Sequence, residues 1–177
     1  DTTASMALYF DDILLEISQL NKKLNHKINT QYSLIEFSDH LFDYSDMDDD
    51  QLFIENPTKL SLYNKDVNYF NDKLSKIEFD HGEDLPEAIT DGLNEVNKIR
   101  TNNKTENIII LITDAYPHGY HKPGDSFENG CPCENDWNQI IKELNNKLFK
   151  LIYYDLKLKL YTPHTNNQIS CLFRTDI

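Results

Sequence analysis

Ile108-Ile109-Ile110-Leu111-Ile112 is a run of five apolar residues, four of them isoleucine, and it leads into Thr113-Asp114. β-branched side chains lose freedom in a helix and pack well on a pleated surface. A run this short and continuous predicts a strand over 107–113 that is buried on both faces. Covering both faces of such a strand requires helices on each side of its sheet. The chain is thereby restricted to a mixed α/β architecture.

The rest of the pattern agrees. Met6, Phe10, Ile13, Leu14, Ile17, Leu20 and Leu24 recur at helical spacing and predict an amphipathic helix over 6–24. Val67, Phe70, Leu74 and Ile77 predict a second helix. Ile89, Leu93, Val96 and Ile99 predict a third, starting near Pro86, and Trp137, Ile140, Ile141, Leu144 and Leu148 a fourth. Strands are predicted at 32–37 and 149–156, with short candidates at 52–54 and 60–63 and a terminal helix at 165–175. Gly and Pro punctuate a long loop over 116–135. Strands alternating with helices predict a Rossmann-like, doubly wound, mostly parallel sheet with helices on both faces. With 177 residues, no repeat and no linker, a single domain over 1–177 is expected.

The chain carries 17 Lys plus Arg against 30 Asp plus Glu, a net charge of −13. That disfavours nucleic acid and anionic membrane surfaces, and favours cations or basic partners. No apolar stretch approaches a membrane span, so no membrane insertion is expected. The three cysteines, Cys131, Cys133 and Cys171, are an odd count, and Cys131-Pro132-Cys133 is too close-set for an ordinary structural disulfide. A reducing, cytoplasmic setting is therefore expected, with an extracellular one as the alternative.

Three segments bring small oxygen donors to predicted strand ends or helix starts. They are Asp1-Thr2-Thr3-Ala4-Ser5, Gly82-Glu83-Asp84-Leu85-Pro86-Glu87, and Asp114 after the isoleucine strand. Hard oxygen donors on converging loops suit Mg²⁺, and open α/β sheets bind ligands at the carboxyl ends of their strands. Each residue also has a plainer reading. Asp84-x-x-Glu87 with Pro86 between them makes a good capping box for the third helix. Thr3 or Ser5 would serve as an N-cap of the first helix, and Asp114 as the start of a turn. A free α-amino group on Asp1 would put positive charge beside a cation, so an apolar strand is expected upstream of it.

In this order the segments resemble a von Willebrand factor type A domain. Asp1-Thr2-Thr3-Ala4-Ser5-Met6 is similar to that family's Asp-x-Ser/Thr-x-Ser metal-ion-dependent adhesion site, and Thr113-Asp114-Ala115-Tyr116-Pro117-His118-Gly119 to its fourth-strand ending. Gly82 to Glu87 resembles the Gly-x-Asp-x-Pro-Glu segment of the α-kinase-linked A domains of protists. Ile35-Glu36-Phe37-Ser38-Asp39-His40 resembles that subgroup's second strand, with Phe37-Ser38 where Tyr-Arg is frequent. The resemblance implies Mg²⁺ ligation by the Thr3 and Ser5 hydroxyls, with Asp1 and Asp114 holding the ion mainly through its waters. It implies a central-loop ligand at Asp84, where adhesive members have Thr. Mn²⁺ or Ca²⁺ would suit the same oxygens. The implied function is binding of a protein ligand or an adjoining domain within a larger, α-kinase-like or other multidomain parent, without catalysis.

Other chemistry fits less well. Asp46, Asp48 and Asp50 begin like a calcium loop, but the required Gly falls on Gln51 and the bidentate Glu on Pro57. His118, His121, Cys131 and Cys133 offer softer donors for a second metal such as zinc, at non-standard spacing. No Gly-x-Ser-x-Gly elbow or phosphate-cradling loop occurs. The enzyme alternative is a Rossmann-like Mg²⁺-dependent aspartyl phosphotransferase or phosphatase, but its second acid would fall on Thr3, which cannot act as acid or base at neutral pH. A structural scaffold with a vestigial metal site is the third reading.

Overall fold

A computed structural model describes residues 1–25, 30–40, 56–63, 67–79, 82, 84, 86–101, 104–120, 123–156 and 160–163. Asp46, Asp48 and Asp50, the short strand expected at 52–54 and the helix expected at 165–175 lie outside these residues, as do His121 and Cys171.

The first helical stretch is a 3-10 helix, Ala4–Tyr9, running directly into α1, Phe10–Asn25. Then follow β1 (Tyr32–Phe37), β2 (Thr58–Tyr63), α2 (Val67–Leu74), α3 (Ile89–Lys98), β3 (Asn107–Thr113), α4 (Trp137–Asn146), β4 (Phe149–Asp155) and β5 (Leu160–Pro163). The helices and strands expected within the described residues are present. α3 starts three residues after Pro86, because the backbone N–H groups of Glu87 and Ala88 are taken up outside the helix. Glu87 N donates to Tyr116 O at 2.8 Å, and Ala88 N to Ser38 O at 3.2 Å. β5 was not expected from the sequence.

The architecture is mixed α/β with a small parallel element. β3 and β4 pair in parallel, in register from Asn107↔Phe149 to Thr113↔Asp155. β1 pairs antiparallel with β2, and β4 antiparallel with β5. Among the described residues, parallel pairing between strands is found in β3–β4, connected through α4, and an isolated parallel bridge joins Glu87 to Pro117. Asp136 caps α4, accepting from Gln139 N at 2.6 Å.

The main core lies between α3, α4 and one face of the strands. Phe37, Ile89, Leu93, Val96, Ile109, Leu111, Ile140, Ile141, Leu144, Phe149, Leu151 and Tyr153 form one buried cluster. Ile35 packs against this core, while Tyr32 and Leu34, on the other face of β1, pack with Leu14, Ile17, Phe70 and Leu74. β1 therefore has helices on both faces, as its period of two requires. The isoleucine strand departs from expectation. Ile109 and Leu111 are buried, but Ile108 is 50% and Ile110 44% exposed. Among the described residues, one face of β3 is only partly covered. Continuous apolarity signals tolerance of burial on both faces, and coverage depends on what packs there.

Residues 1 and 2 join the two sheets. Thr2 N donates to Phe37 O at 2.7 Å, and the Asp1 amino group donates to Ile112 O at 3.2 Å. The start of the chain is thus fixed between the carboxyl ends of β1 and β3.

Candidate functional site

Asp1, Thr3, Ser5 and Asp114 converge. Asp1 Oδ1 accepts from Thr3 N at 3.0 Å and from Thr3 Oγ1 at 2.8 Å. Asp1 Oδ2 accepts from Thr113 Oγ1 at 2.6 Å. Ser5 Oγ donates to Asp114 Oδ1 at 2.9 Å and lies 3.3 Å from Thr3 Oγ1. Thr3 stands at the N-cap position, but its side chain makes no capping bond and instead turns to Asp1. Thr3 is 1% exposed, so it is a buried residue and not part of an open mouth, whereas Ser5 is exposed. Thr113 is a participant that sequence reasoning passed over. Its only signal is its place before Asp114, where the strand ends beside Asp1.

Asp84 makes its hydrogen bonds to Asp39 and Ser126. Its backbone N donates to Asp39 Oδ2 at 3.4 Å, and its own Oδ2 accepts from Ser126 N at 2.7 Å. It does not cap α3, whose N-cap is Ala88 without a side-chain bond. The expectation that Asp84 caps α3 is corrected, because Glu87 N and Ala88 N pair with Tyr116 O and Ser38 O before the helix begins. The other Asp84 oxygen, Oδ1, is buried without a hydrogen-bond partner, as Glu87 Oε2 is.

Glu87 is the residue the middle segment delivers. It is 3% exposed, lies beside Thr3, and its Oε2 is buried without a hydrogen-bond partner. Burial, and then the Asp39 carboxylate, push its carboxyl up to about 9; Thr3 opposes the shift, and Asp114 and Asp84 add to it. A cation among these oxygens would relieve that clustering of acids. Gly82, at φ 111°, passes close by, and a Cβ there would lie 3.4 Å from Thr3 Cβ. The sequence shows Glu87 only as the third partner of a capping box.

The residues present fit a hard divalent ion. Adjacent ligands of octahedral Mg²⁺ stand roughly 2.9 Å apart, from metal–oxygen distances of about 2.05 Å. The 3.3 Å between the Thr3 and Ser5 hydroxyls is near that spacing, and Glu87 Oε2 is an orphaned buried acceptor.

Two further groupings of the described residues could hold a metal ion: Asp39, Asp84 and His118, and His40, Asp91, Cys131 and Cys133. The second site expected around His118 and the cysteines is therefore divided. His118 sits between two buried carboxylates, with Nε2 3.0 Å from Asp39 Oδ1 and Nδ1 3.0 Å from Asp125 Oδ1. Burial lowers its pKa, but Asp39 and Asp125 outweigh burial and hold the imidazole above its ordinary value. Cys131 instead meets His40 Nε2 at 3.3 Å and Asp91 Oδ2 at 2.7 Å. Burial pushes the Cys131 thiol far up and Cys133 up to about 11, with Asp91 adding to both. Burial also acts to raise Asp91, but hydrogen bonds from His40 and Cys131 outweigh it and hold that carboxyl below the usual range.

The chain matches no family model, and no curated protein is similar enough to it to count as a relative. No helix among the described residues is long and apolar enough to cross a membrane.

Proposed function

We propose that this chain is a metal-dependent binding module of the von Willebrand factor A type, which takes up Mg²⁺ between Asp1, Thr3, Ser5 and Asp114 and recruits a protein ligand or an adjoining domain. The observation that carries this reading is the Ser5–Asp114 hydrogen bond, formed across 109 residues beside the Asp1–Thr3 pair. A serine, a threonine and two aspartates, from residues 1–5 and from the end of β3, make an oxygen-only set. Thr3 and Ser5 would offer hydroxyls, and the aspartates would hold the ion's waters. The bound ion would supply a Lewis-acidic position for a ligand oxygen. Glu87 replaces Asp84 as the middle segment's contribution.

A doubly wound sheet is part of the same proposal. It is supported by the attachment of Thr2 to the end of β1 and of Asp1 to β3, and by helices on both faces of β1. The phosphotransferase reading is disfavoured by Thr3. This residue is buried and engaged with Asp1, so the position of the second acid holds a hydroxyl.

Calorimetric titration of Mg²⁺ tests the proposal. One saturable site is expected, weakened at least tenfold in Ser5→Ala. The absence of saturable heat would favour a scaffold with a vestigial site. Mg²⁺-dependent turnover of an aryl phosphate that disappears in Asp1→Asn would favour the enzyme.

A further inference from the structure

His40, Asp91, Cys131 and Cys133 come from three separate parts of the fold. His40 follows β1 by three residues, Asp91 lies in the first turn of α3, and the cysteines sit in the loop before α4. One ligand atom from each lies within 4.8 Å of the others, the histidine and aspartate buried and the two cysteines half-buried. His40 is fully buried and Asp91 5% exposed.

We propose that these four side chains form a structural zinc site, distinct from the oxygen site at Asp1, Thr3, Ser5 and Asp114. The chemistry of the donors separates the two. Two sulfurs, one imidazole nitrogen and one carboxylate oxygen are a tetrahedral zinc set, whereas Mg²⁺ takes oxygen ligands. With zinc–ligand distances of about 2.0–2.3 Å, tetrahedral geometry puts the donors roughly 3.2–3.8 Å apart. His40 Nε2 to Asp91 Oδ2 is 3.2 Å, and Cys131 Sγ to His40 Nε2 is 3.3 Å. Cys131 Sγ to Asp91 Oδ2, at 2.7 Å, is a hydrogen bond that would open by under about 1 Å as the proton leaves and the ion enters.

The surroundings orient the ligands. Asn135 Nδ2 donates to Asp91 Oδ1 at 2.7 Å, leaving Oδ2 for the cluster, and Asn94 in turn donates to Asn135 at 2.9 Å. Such outer partners fix a metal-bound carboxylate. The backbone N–H of Cys133 points at Cys131 Sγ at 3.4 Å, which favours a thiolate there. Gly119, at φ 85°, lets the loop fold onto itself, since a Cβ there would stand 2.7 Å from Gly130 Cα. Charge argues the same way. A thiolate beside an ionised buried Asp91 would repel it, and a dication removes that repulsion. Bound zinc would tie Cys131 and Cys133 to α3 and to the residues that follow β1.

The test uses the reduced wild-type chain, stripped with a chelator and reloaded with one equivalent of Zn²⁺ in excess Mg²⁺. We expect one zinc per chain, and alkylation of Cys131 and Cys133 slowed at least tenfold, reversed by chelator and read by peptide mass. Co²⁺ in place of zinc should show tetrahedral ligand-field bands with thiolate charge transfer. His40→Gln and Asp91→Asn should each weaken zinc at least tenfold, while Ser5→Ala retains it. Unprotected cysteines and no thiolate–cobalt band in the wild type would overturn the proposal, leaving a hydrogen-bonded cluster only. This readout does not depend on any variant folding. Loss of zinc in Ser5→Ala would also overturn it, by placing the ion at the oxygen site. Failure of Mg²⁺ to bind would leave the zinc assignment untouched.

Discussion

Ser5 Oγ donates to Asp114 Oδ1 at 2.9 Å, tying the start of the first helical stretch to the end of β3. Thr3 and Ser5 stand side by side yet differ in one respect that matters for experiment. Thr3 is buried and holds Asp1, while Ser5 is exposed.

The two hydroxyls should therefore respond differently to removal. Ser5→Ala is expected to change stability by no more than about 0.5 kcal/mol, as for exposed positions, while weakening Mg²⁺ at least tenfold. Thr3→Ala should cost about 1–3 kcal/mol as well, because it strips a buried hydrogen bond from Asp1. Urea denaturation and Mg²⁺ calorimetry on both variants check this. Equal stability losses would contradict the difference in burial.

Glu87 and Asp84 make a second contrast. Asp84→Thr is expected to leave Mg²⁺ affinity within about twofold of wild type, since Asp84 is turned to Ser126. Glu87→Gln should lower it about tenfold by removing a carboxylate that the ion would stabilise. Without Mg²⁺, Glu87→Gln should stabilise the fold increasingly as pH rises from the ordinary carboxyl value of 4.5 to about 9, because over that window the Glu87 carboxyl must take up a proton on folding and the amide need not. The reverse ranking of the two affinities would restore Asp84 as the ligand.

His118 supplies a pH signature. Its imidazole is faced by Asp39 and Asp125 at 3.0 Å each, with Asp84 further off and the His40 ring 5.6 Å away. Its pKa is raised on folding, so the stabilisation is complete below its ordinary value of 6.5. It fades as pH rises through the elevated folded value. His118→Gln should cost about 3–5 kcal/mol near pH 6, because it leaves buried carboxylates unpaired. The gap from wild type should narrow as pH rises past neutrality. A gap that widened with pH would have the opposite sign and refute the ion pair. Urea midpoints at pH 6 and pH 9 measure it.

Leu148 offers a stabilising change. It adopts φ 58° at the α4–β4 turn and is 56% exposed. Left-handed backbone costs a non-glycine residue roughly 1–2 kcal/mol, and little packing is lost on truncating an exposed side chain. Leu148→Gly should raise the thermal midpoint by a few degrees. An unchanged or lower midpoint would mean that the strain is relieved elsewhere.

Much of this molecule is legible from the sequence. The helices of α1, α2, α3 and α4 follow from apolar side chains recurring every three to four residues, and β1, β3 and β4 from short apolar runs. Both depend on local backbone geometry and on which side chains can share a face. The Asp1, Thr3, Ser5 and Asp114 set is legible too, because each lies at the end of a predicted element and those ends meet in an α/β fold. What remained was decided by tertiary structure. Whether β2 and β5 pair antiparallel, and whether Ile108 and Ile110 are covered, depends on partners distant in the chain. Asp84 does not cap α3 because Glu87 and Ala88 pair with Tyr116 and Ser38 before the helix begins, and no local spacing reports that pairing. His40 and Asp91 joined Cys131 and Cys133 across 91 and 40 residues, while His118, closer in sequence, turned to Asp39 and Asp125. Sequence spacing ranks neighbours along the chain. A buried donor pairs with whichever acceptor packing brings within about 3 Å, since leaving it unpaired costs 1–3 kcal/mol or more.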